Sequence, residues 1–169
     1  RSPSCQLKVM AVTGTNGKTS VTQYIAQLLQ VAGMPCGLLG TLGNGMPDAL
    51  QPATHTTPDV VQANRLLAGI VADGSRAAAM EVSSHALDQG RIDRLTLTAA
   101  VFTNLTRDHL DYHGSMAAYG EAKAKLFTRE ELRFVVINYD DPFGRKLYYQ
   151  LEGKCERLRF SLHESQMEL

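Results

Sequence analysis

The residues best suited to chemistry are Thr13-Gly14-Thr15-Asn16-Gly17-Lys18-Thr19-Ser20. Gly14 and Gly17 allow a tight loop whose backbone N–H groups converge. A Lys-Thr pair opening a helix adds a cation, a hydroxyl and the partial positive charge of the helix N-terminus. Such a loop holds phosphates. Lys18 would reach the β- and γ-phosphates of a nucleoside triphosphate, and the Thr19 hydroxyl would face Mg²⁺. The first glycine of G-x-x-x-x-G-K-[ST] would fall at position 12, which is Val12, and Gly14 supplies the early flexible point instead. The bland alternative is an ordinary Gly-rich strand-to-helix turn.

Three further groups belong to the same chemistry. Glu81 follows Ala77-Ala78-Ala79-Met80 at the carboxyl end of a strand, where a phosphate-loop site takes a second group for Mg²⁺. The competing reading is an acid that emerges there into solvent. His109, between Asp108 and Leu110, suits a second metal or a phosphate, or stands solvated in a polar loop. Lys123 and Lys125 sit two residues apart on one helical segment, so they point in different directions. Periodicity does not decide which faces the site. His113 carries a weaker signal, and His55, His85 and His163 carry none.

These residues need a frame. Lys8 to Val12 is a short β-branched-rich strand, and Val21, Tyr24, Ile25, Leu28, Leu29, Val31 and Ala32 recur at helical spacing until Gly33. Strands are expected at 34–41, 76–82, 97–103, 133–138 and 157–162. A long loop is expected at 43–55 and a polar loop at 104–114. Helices are expected from Thr57 as N-cap, with Pro58 first, to about Asp73-Gly74, and from Ser83 to Gln89. Two more run from Ser115 through Met116, Tyr119, Ala122, Leu126 and Phe127, and from Asp141-Pro142 to about Leu151. Alternating strands and helices give an α/β fold: a mostly parallel sheet with helices on both faces and a P-loop. The loops 14–20, 41–57, 81–85 and 104–114 then share the carboxyl rim, where such sheets bind ligands.

Composition narrows the class. At 169 residues the chain is one domain, and 17 basic residues balance 17 acidic ones, so no net field points to nucleic acid or an anionic membrane. Cys5, Cys36 and Cys155 are odd in number and without metal spacing, as in a reducing compartment. No apolar run approaches the ~18 residues of a membrane span, and no signal-peptide core is present. The expected location is the cytoplasm. The chain opens without Met and almost on a core strand, which suggests a piece of a longer protein.

Thr13–Ser20, Glu81-Val82-Ser83-Ser84-His85, the run from Asn104 to His113 and the run from Tyr119 to Phe127 together resemble the Mur ligases, over roughly residues 8–145. Within that family the likeness is nearest to members that add the third residue of the peptidoglycan stem peptide. The family's loop, G-T-x-G-K-[ST], lacks the earlier glycine, which accounts for Val12. The resemblance implies an ATP-dependent amide ligase using ATP and two Mg²⁺ ions. Gly14, Thr15, Asn16, Gly17, Lys18, Thr19 and Ser20 would hold the phosphates, with Asn138 near the nucleotide. Thr19 and Glu81 would serve the first Mg²⁺ and His109 the second. Lys123 matches the lysine of K-x-x-[LI]-[FY], which CO₂ carbamylates into an anionic oxygen ligand, and it would join Lys18 and His109 in catalysis. Thr56, Thr57, Ser83, Gln89 and Arg91 match positions contacting a UDP-N-acetylmuramoyl-dipeptide. The substrate's carboxylate would attack the γ-phosphorus, and the amine of meso-diaminopimelate or L-lysine would attack the resulting acyl phosphate. The family's uridine-binding N-terminal and amino-acid-binding C-terminal domains have no counterpart here. The family's later central segment, with a second Asn-containing nucleotide motif, has no counterpart either, so residues 1–169 are expected to be most of the central ATP-binding domain alone, not competent for ligation. A related ligase such as folylpolyglutamate synthase is disfavoured by Ser83-Ser84-His85 and Asp111-Tyr112-His113. A nucleotide-binding module that no longer catalyses is the alternative of another class.

Overall fold

A computed structural model describes residues 2–163. A 3₁₀ turn, Pro3–Gln6, leads into β1 (Lys8–Thr13), in which Val9, Ala11 and Val12 are fully buried. Then follow α1 (Lys18–Val31), β2 (Cys36–Gly40), β3 (Gly43–Gly45), α2 (Val60–Ala72), β4 (Ala77–Glu81), α3 (Ser84–Asp88) and β5 (Ala99–Phe102). The chain continues with α4 (Leu110–His113), α5 (Met116–Ala124), β6 (Phe134–Asn138), α6 (Pro142–Gln150) and β7 (Glu156–Phe160). The sheet order is β3-β2-β4-β1-β5-β6-β7, parallel throughout except for β2 with β3.

The expected α/β architecture is present, and side-chain size explains its layers. Ala77, Ala78 and Ala79 leave both faces of β4 flat enough for helices to approach closely. Ala26 of α1 packs on Cys36, Leu38, Ala77 and Ala79 on one face. Leu67 and Ile70 of α2, Leu87 of α3 and Leu147 of α6 pack with Met80, Phe102, Val135 and Ile137 on the other. Each fully buried Leu or Ile contributes about 1.5–3 kcal/mol relative to exposure.

Three local expectations are corrected. Residues 43–55 are not wholly loop: Gly43–Gly45 pairs antiparallel with β2, and Asn44 bridges to Gln51. A Gly-Asn-Gly strand shows no alternation because backbone pairing alone defines it. The cap of α2 is Asp59, whose Oδ1 accepts from the N–H groups of Val61 and Gln62. A carboxylate answers both the orphan donors and the helix dipole. Thr57 instead turns inward, and Pro58 precedes the helix rather than opening it. Finally, the helix after Ser115 stays α-helical only to Ala124, then tightens into a 3₁₀ turn at Lys125–Thr128.

Candidate nucleotide and substrate site

The loop after β1 is shaped by glycine. Gly14 has φ +152° and Gly17 φ +82°, and a Cβ on Gly14 would lie 1.8 Å from Thr103 Oγ1. That close approach lets the end of β5 fasten the loop. Thr103 Oγ1 donates to Asn16 O, Thr15 N–H donates to Asn104 O, and Asn104 Oδ1 accepts from Asn16 N–H. Thr15 Oγ1 donates to Thr106 O and accepts from Thr106 N–H. These bonds fasten residues 14–16 to the segment that follows β5.

Lys18 leads α1, and its Nζ donates to Gly14 O and Thr15 O, each at 2.9 Å. Burial lowers its pKa, while Glu81 and Asp108 oppose that shift. Glu81 does not emerge into solvent: it is 1% exposed. Its Oε2 accepts from Thr19 Oγ1 at 2.9 Å and from Thr41 Oγ1, and its Oε1 accepts from Thr41 N–H at 2.8 Å. Ser20 is exposed on the first turn of α1. Asn138 stands at the same rim, with its amide donating to Thr103 O and accepting from Asp140 N–H.

The two lysines that periodicity left open separate cleanly. Lys125 is exposed and pairs with Asp88 at 2.7 Å. Lys123 is 1% exposed, and its Nζ donates to Gly14 O at 2.9 Å, 4.5 Å from the Tyr119 ring centroid. Desolvation first, then Lys18, lowers its pKa to about 7, against a weaker opposing pull from Asp108.

Thr56, Thr57, Ser83 and Arg91 line one cleft of about 240 Å³ together with His55, His85 and His109. Thr57 Oγ1 donates to the backbone carbonyl of Glu81 and accepts from Ser83 N–H, which fixes this cleft against the end of β4. Arg91 donates to Thr57 O and to Gln89 Oε1, which places Gln89 beside the cleft. A larger concavity, about 590 Å³, lies at the amino ends of the strands beside Lys8, Arg76 and Arg133 and holds none of these residues.

His109 has φ +50° and its ring packs edge-on to His85 at 4.9 Å and to Tyr119 at 6.0 Å. Tyr119 therefore stands between His109 and Lys123, with its hydroxyl bonded to Thr15 Oγ1. Residue spacing gives His55 and His85 no signal and His113 a weak one. His85 contacts His109, Tyr112 and His113, and burial lowers the pKa of both His85 and His113. Only the Ser83-Ser84-His85 triplet, next to Glu81, could have flagged it.

Among the described residues no three His, Cys, Asp or Glu side chains gather as a ready metal cage. The donors present still suit Mg²⁺, which is commonly held by one or two carboxylates plus substrate phosphates. Glu81 is a buried carboxylate with no cation within ion-pair distance among the described residues, and its neighbours are hydroxyl and amide groups that can turn or give way. That environment fits a bound cation.

Comparison with known proteins bears on the family and the fold. The family described as Mur ligase middle domain matches residues 12–168. A relative named UDP-N-acetylmuramoyl-L-alanyl-D-glutamate--2,6-diaminopimelate ligase, from Alkalilimnicola ehrlichii, is 54% identical over 95% of this chain and 32% of its own. One of the same name from Ectopseudomonas mendocina is 60% identical over 88% of this chain and 30% of its own. A solved structure of an enzyme with that name superposes with a TM-score of 0.87 at 40% identity, covering 95% of this chain and 33% of its own. The folylpolyglutamate synthase of Mycobacterium tuberculosis, complexed with ADP and AMPPCP, superposes at 0.70 with 18% identity, over 99% of this chain and 47% of its own, a likeness of fold alone. The chain spans about a third of the length of the curated relatives it matches.

Proposed function

The chain belongs to the Mur ligase family, and from that premise we propose that residues 1–169 are the central ATP-binding domain of a ligase that joins the third amino acid to UDP-N-acetylmuramoyl-L-Ala-D-Glu in cytoplasmic peptidoglycan precursor synthesis. The observation that carries this reading is the convergence of the Lys18 and Lys123 amines on Gly14 O, at the mouth of the phosphate loop. The names of the relatives favour diaminopimelate over L-lysine as the added residue. Uridine and amino-acid binding fall to other domains of the longer protein, so this chain alone does not ligate.

The chemistry follows from charge. A carboxylate approaching a triphosphate meets like charge, and Lys18 offsets it once its Nζ leaves the loop carbonyls for the β- and γ-phosphate oxygens. The Gly14–Ser20 backbone orients the triphosphate for in-line attack. Arg91, Thr57 and Ser83 hold the muramoyl-peptide, so that its carboxylate reaches the γ-phosphorus. The new O–P bond forms as the bond to the bridging oxygen breaks, releasing ADP. The incoming amine then attacks the acyl carbon, sheds its proton and expels phosphate. Thr19 and Glu81 would hold one Mg²⁺, and His109 with a carbamylated Lys123 a second; these ions supply Lewis-acid neutralisation of phosphate charge. Burial keeps much of Lys123 as neutral amine near pH 7, the form that adds CO₂ and loses a proton to give a carbamate.

The test is Lys123→Ala against Lys125→Ala in the longer protein, supplied with ATP, Mg²⁺, the muramoyl-dipeptide and diaminopimelate or L-lysine. Product by mass spectrometry should fall by orders of magnitude for Lys123→Ala alone and return in part with a short carboxylic acid. Loss with Lys125→Ala instead would overturn the assignment.

A further inference from the structure

A concavity of about 590 Å³ lies at the edge of the sheet opposite the phosphate loop. β1 spans the distance: Lys8 opens it and Thr13 leads into Gly14, about 17 Å away. Three cations line the concavity, and strand register sets them in a row. Lys8 N–H donates to Arg76 O on one side; on the other, Thr98 N–H donates to Val9 O and Arg133 N–H to Thr98 O. With the strand order β4-β1-β5-β6, Arg76, Lys8, Thr98 and Arg133 stand at four neighbouring strand starts, about 14 Å from first to last.

This row has no counter-charge of its own. Among the described residues no carboxylate lies within ion-pair distance of Lys8, Arg76 or Arg133, and their side-chain nitrogens make no hydrogen bond. Glu131, the acid of the same lining, is taken by Arg129 at 2.7 Å and by the N–H of Leu97. The whole chain balances 17 basic residues with 17 acidic ones, so the cluster is not the by-product of a basic protein. In a concave site such a cluster concentrates anions, because low-dielectric walls focus its field. The floor is apolar: Leu7 and Leu97 are buried there, with Gln6 and Thr96 exposed in the same lining. Separated cations over an apolar floor suit a carbon skeleton charged at both ends better than a bare ion.

We propose that this concavity binds a small organic polyanion, a carbon skeleton carrying two or more phosphate or carboxylate groups. Arg76 and Lys8 take one group, Arg133 takes another, and the skeleton lies over Leu7 and Leu97. The site is separate from the phosphate loop and has its own occupant. In the longer protein, calorimetry with fructose 1,6-bisphosphate and with citrate distinguishes the phosphate from the carboxylate form of this anion. At least one should bind with a Kd below about 1 mM. Arg76→Gln and Arg133→Gln should each weaken that binding roughly tenfold or more without lowering Tm, because each removes a charge-assisted contact from an exposed side chain. Lys18→Ala, at the other rim, should leave it unchanged. Cys5 reports the location, since its Sγ lies 3.3 Å from Thr96 Oγ1 in the same lining. With the anion at about ten times its Kd, alkylation of Cys5 by N-ethylmaleimide should slow about tenfold, read by peptide mass spectrometry. Failure of both anions to bind would overturn the proposal. So would binding that survives both arginine substitutions, that Lys18→Ala removes, or that leaves Cys5 equally reactive.

Discussion

Lys18 and Lys123, far apart in sequence, donate to the same oxygen, the carbonyl of Gly14, each at 2.9 Å. Two amines on one acceptor cannot both carry full charge comfortably, and the more buried one yields.

The stability of the chain should record this. The pKa of Lys123 is about 7 in the fold and near its ordinary 10.5 in the unfolded chain. Between those values the unfolded state binds the extra proton, so the group's contribution to stability rises with pH from about 7 and levels off near 10.5. Under CO₂-free conditions Lys123→Met should stabilise the chain more at pH 6.5 than at pH 9. The difference should change by at most about 1.4 kcal/mol per pH unit, read from urea denaturation. A pH-independent difference would mean that Lys123 stays charged.

Gly14→Ala should both destabilise the chain and abolish nucleotide binding. Its φ of +152° disfavours a side chain, and the Cβ would collide with Thr103 Oγ1 and crowd Asn104 N and O at 3.0 and 3.1 Å. Adding Thr103→Ala should recover only part of the several-degree loss in Tm, because the φ strain and the backbone contacts remain. Full recovery would assign the whole effect to the hydroxyl.

Glu81→Gln should remove the Mg²⁺ dependence of ATP affinity, by tenfold or more in calorimetry, while ATP without metal binds as before. An amide also turns an NH₂ toward Thr19 or Thr41, leaving a buried donor unmatched at about 1–3 kcal/mol. Undiminished Mg²⁺ dependence would remove Glu81 from the metal site.

Local chemistry explains what the sequence disclosed. The Gly-Lys-Thr stretch between strand and helix, the strand-end Glu81 and the Ser115 cap depend on neighbours within a few residues, and each stands where expected, whereas Ser83 caps its helix rather than opening it. The choice between Lys123 and Lys125 was not legible from periodicity. Ala117, Ala118, Ala122 and Ala124 give α5 no strong apolar stripe, and only packing against Tyr119 and the loop decides. Thr57 misled because Asp59 competes for the same cap. His85 matters through rings drawn from α3, α4 and the preceding loop, a gathering no spacing reveals.

The most direct measurement follows oxygen. The longer protein is given ATP, Mg²⁺, diaminopimelate and muramoyl-dipeptide labelled with ¹⁸O in its reacting carboxylate, and the released phosphate is weighed by mass spectrometry. Attack of that carboxylate on the γ-phosphorus places one ¹⁸O in each inorganic phosphate, with ADP as the other nucleotide product, and Lys18→Ala abolishes the transfer. Unlabelled phosphate, or AMP with pyrophosphate, would contradict an acyl phosphate formed at the Gly14–Thr19 loop.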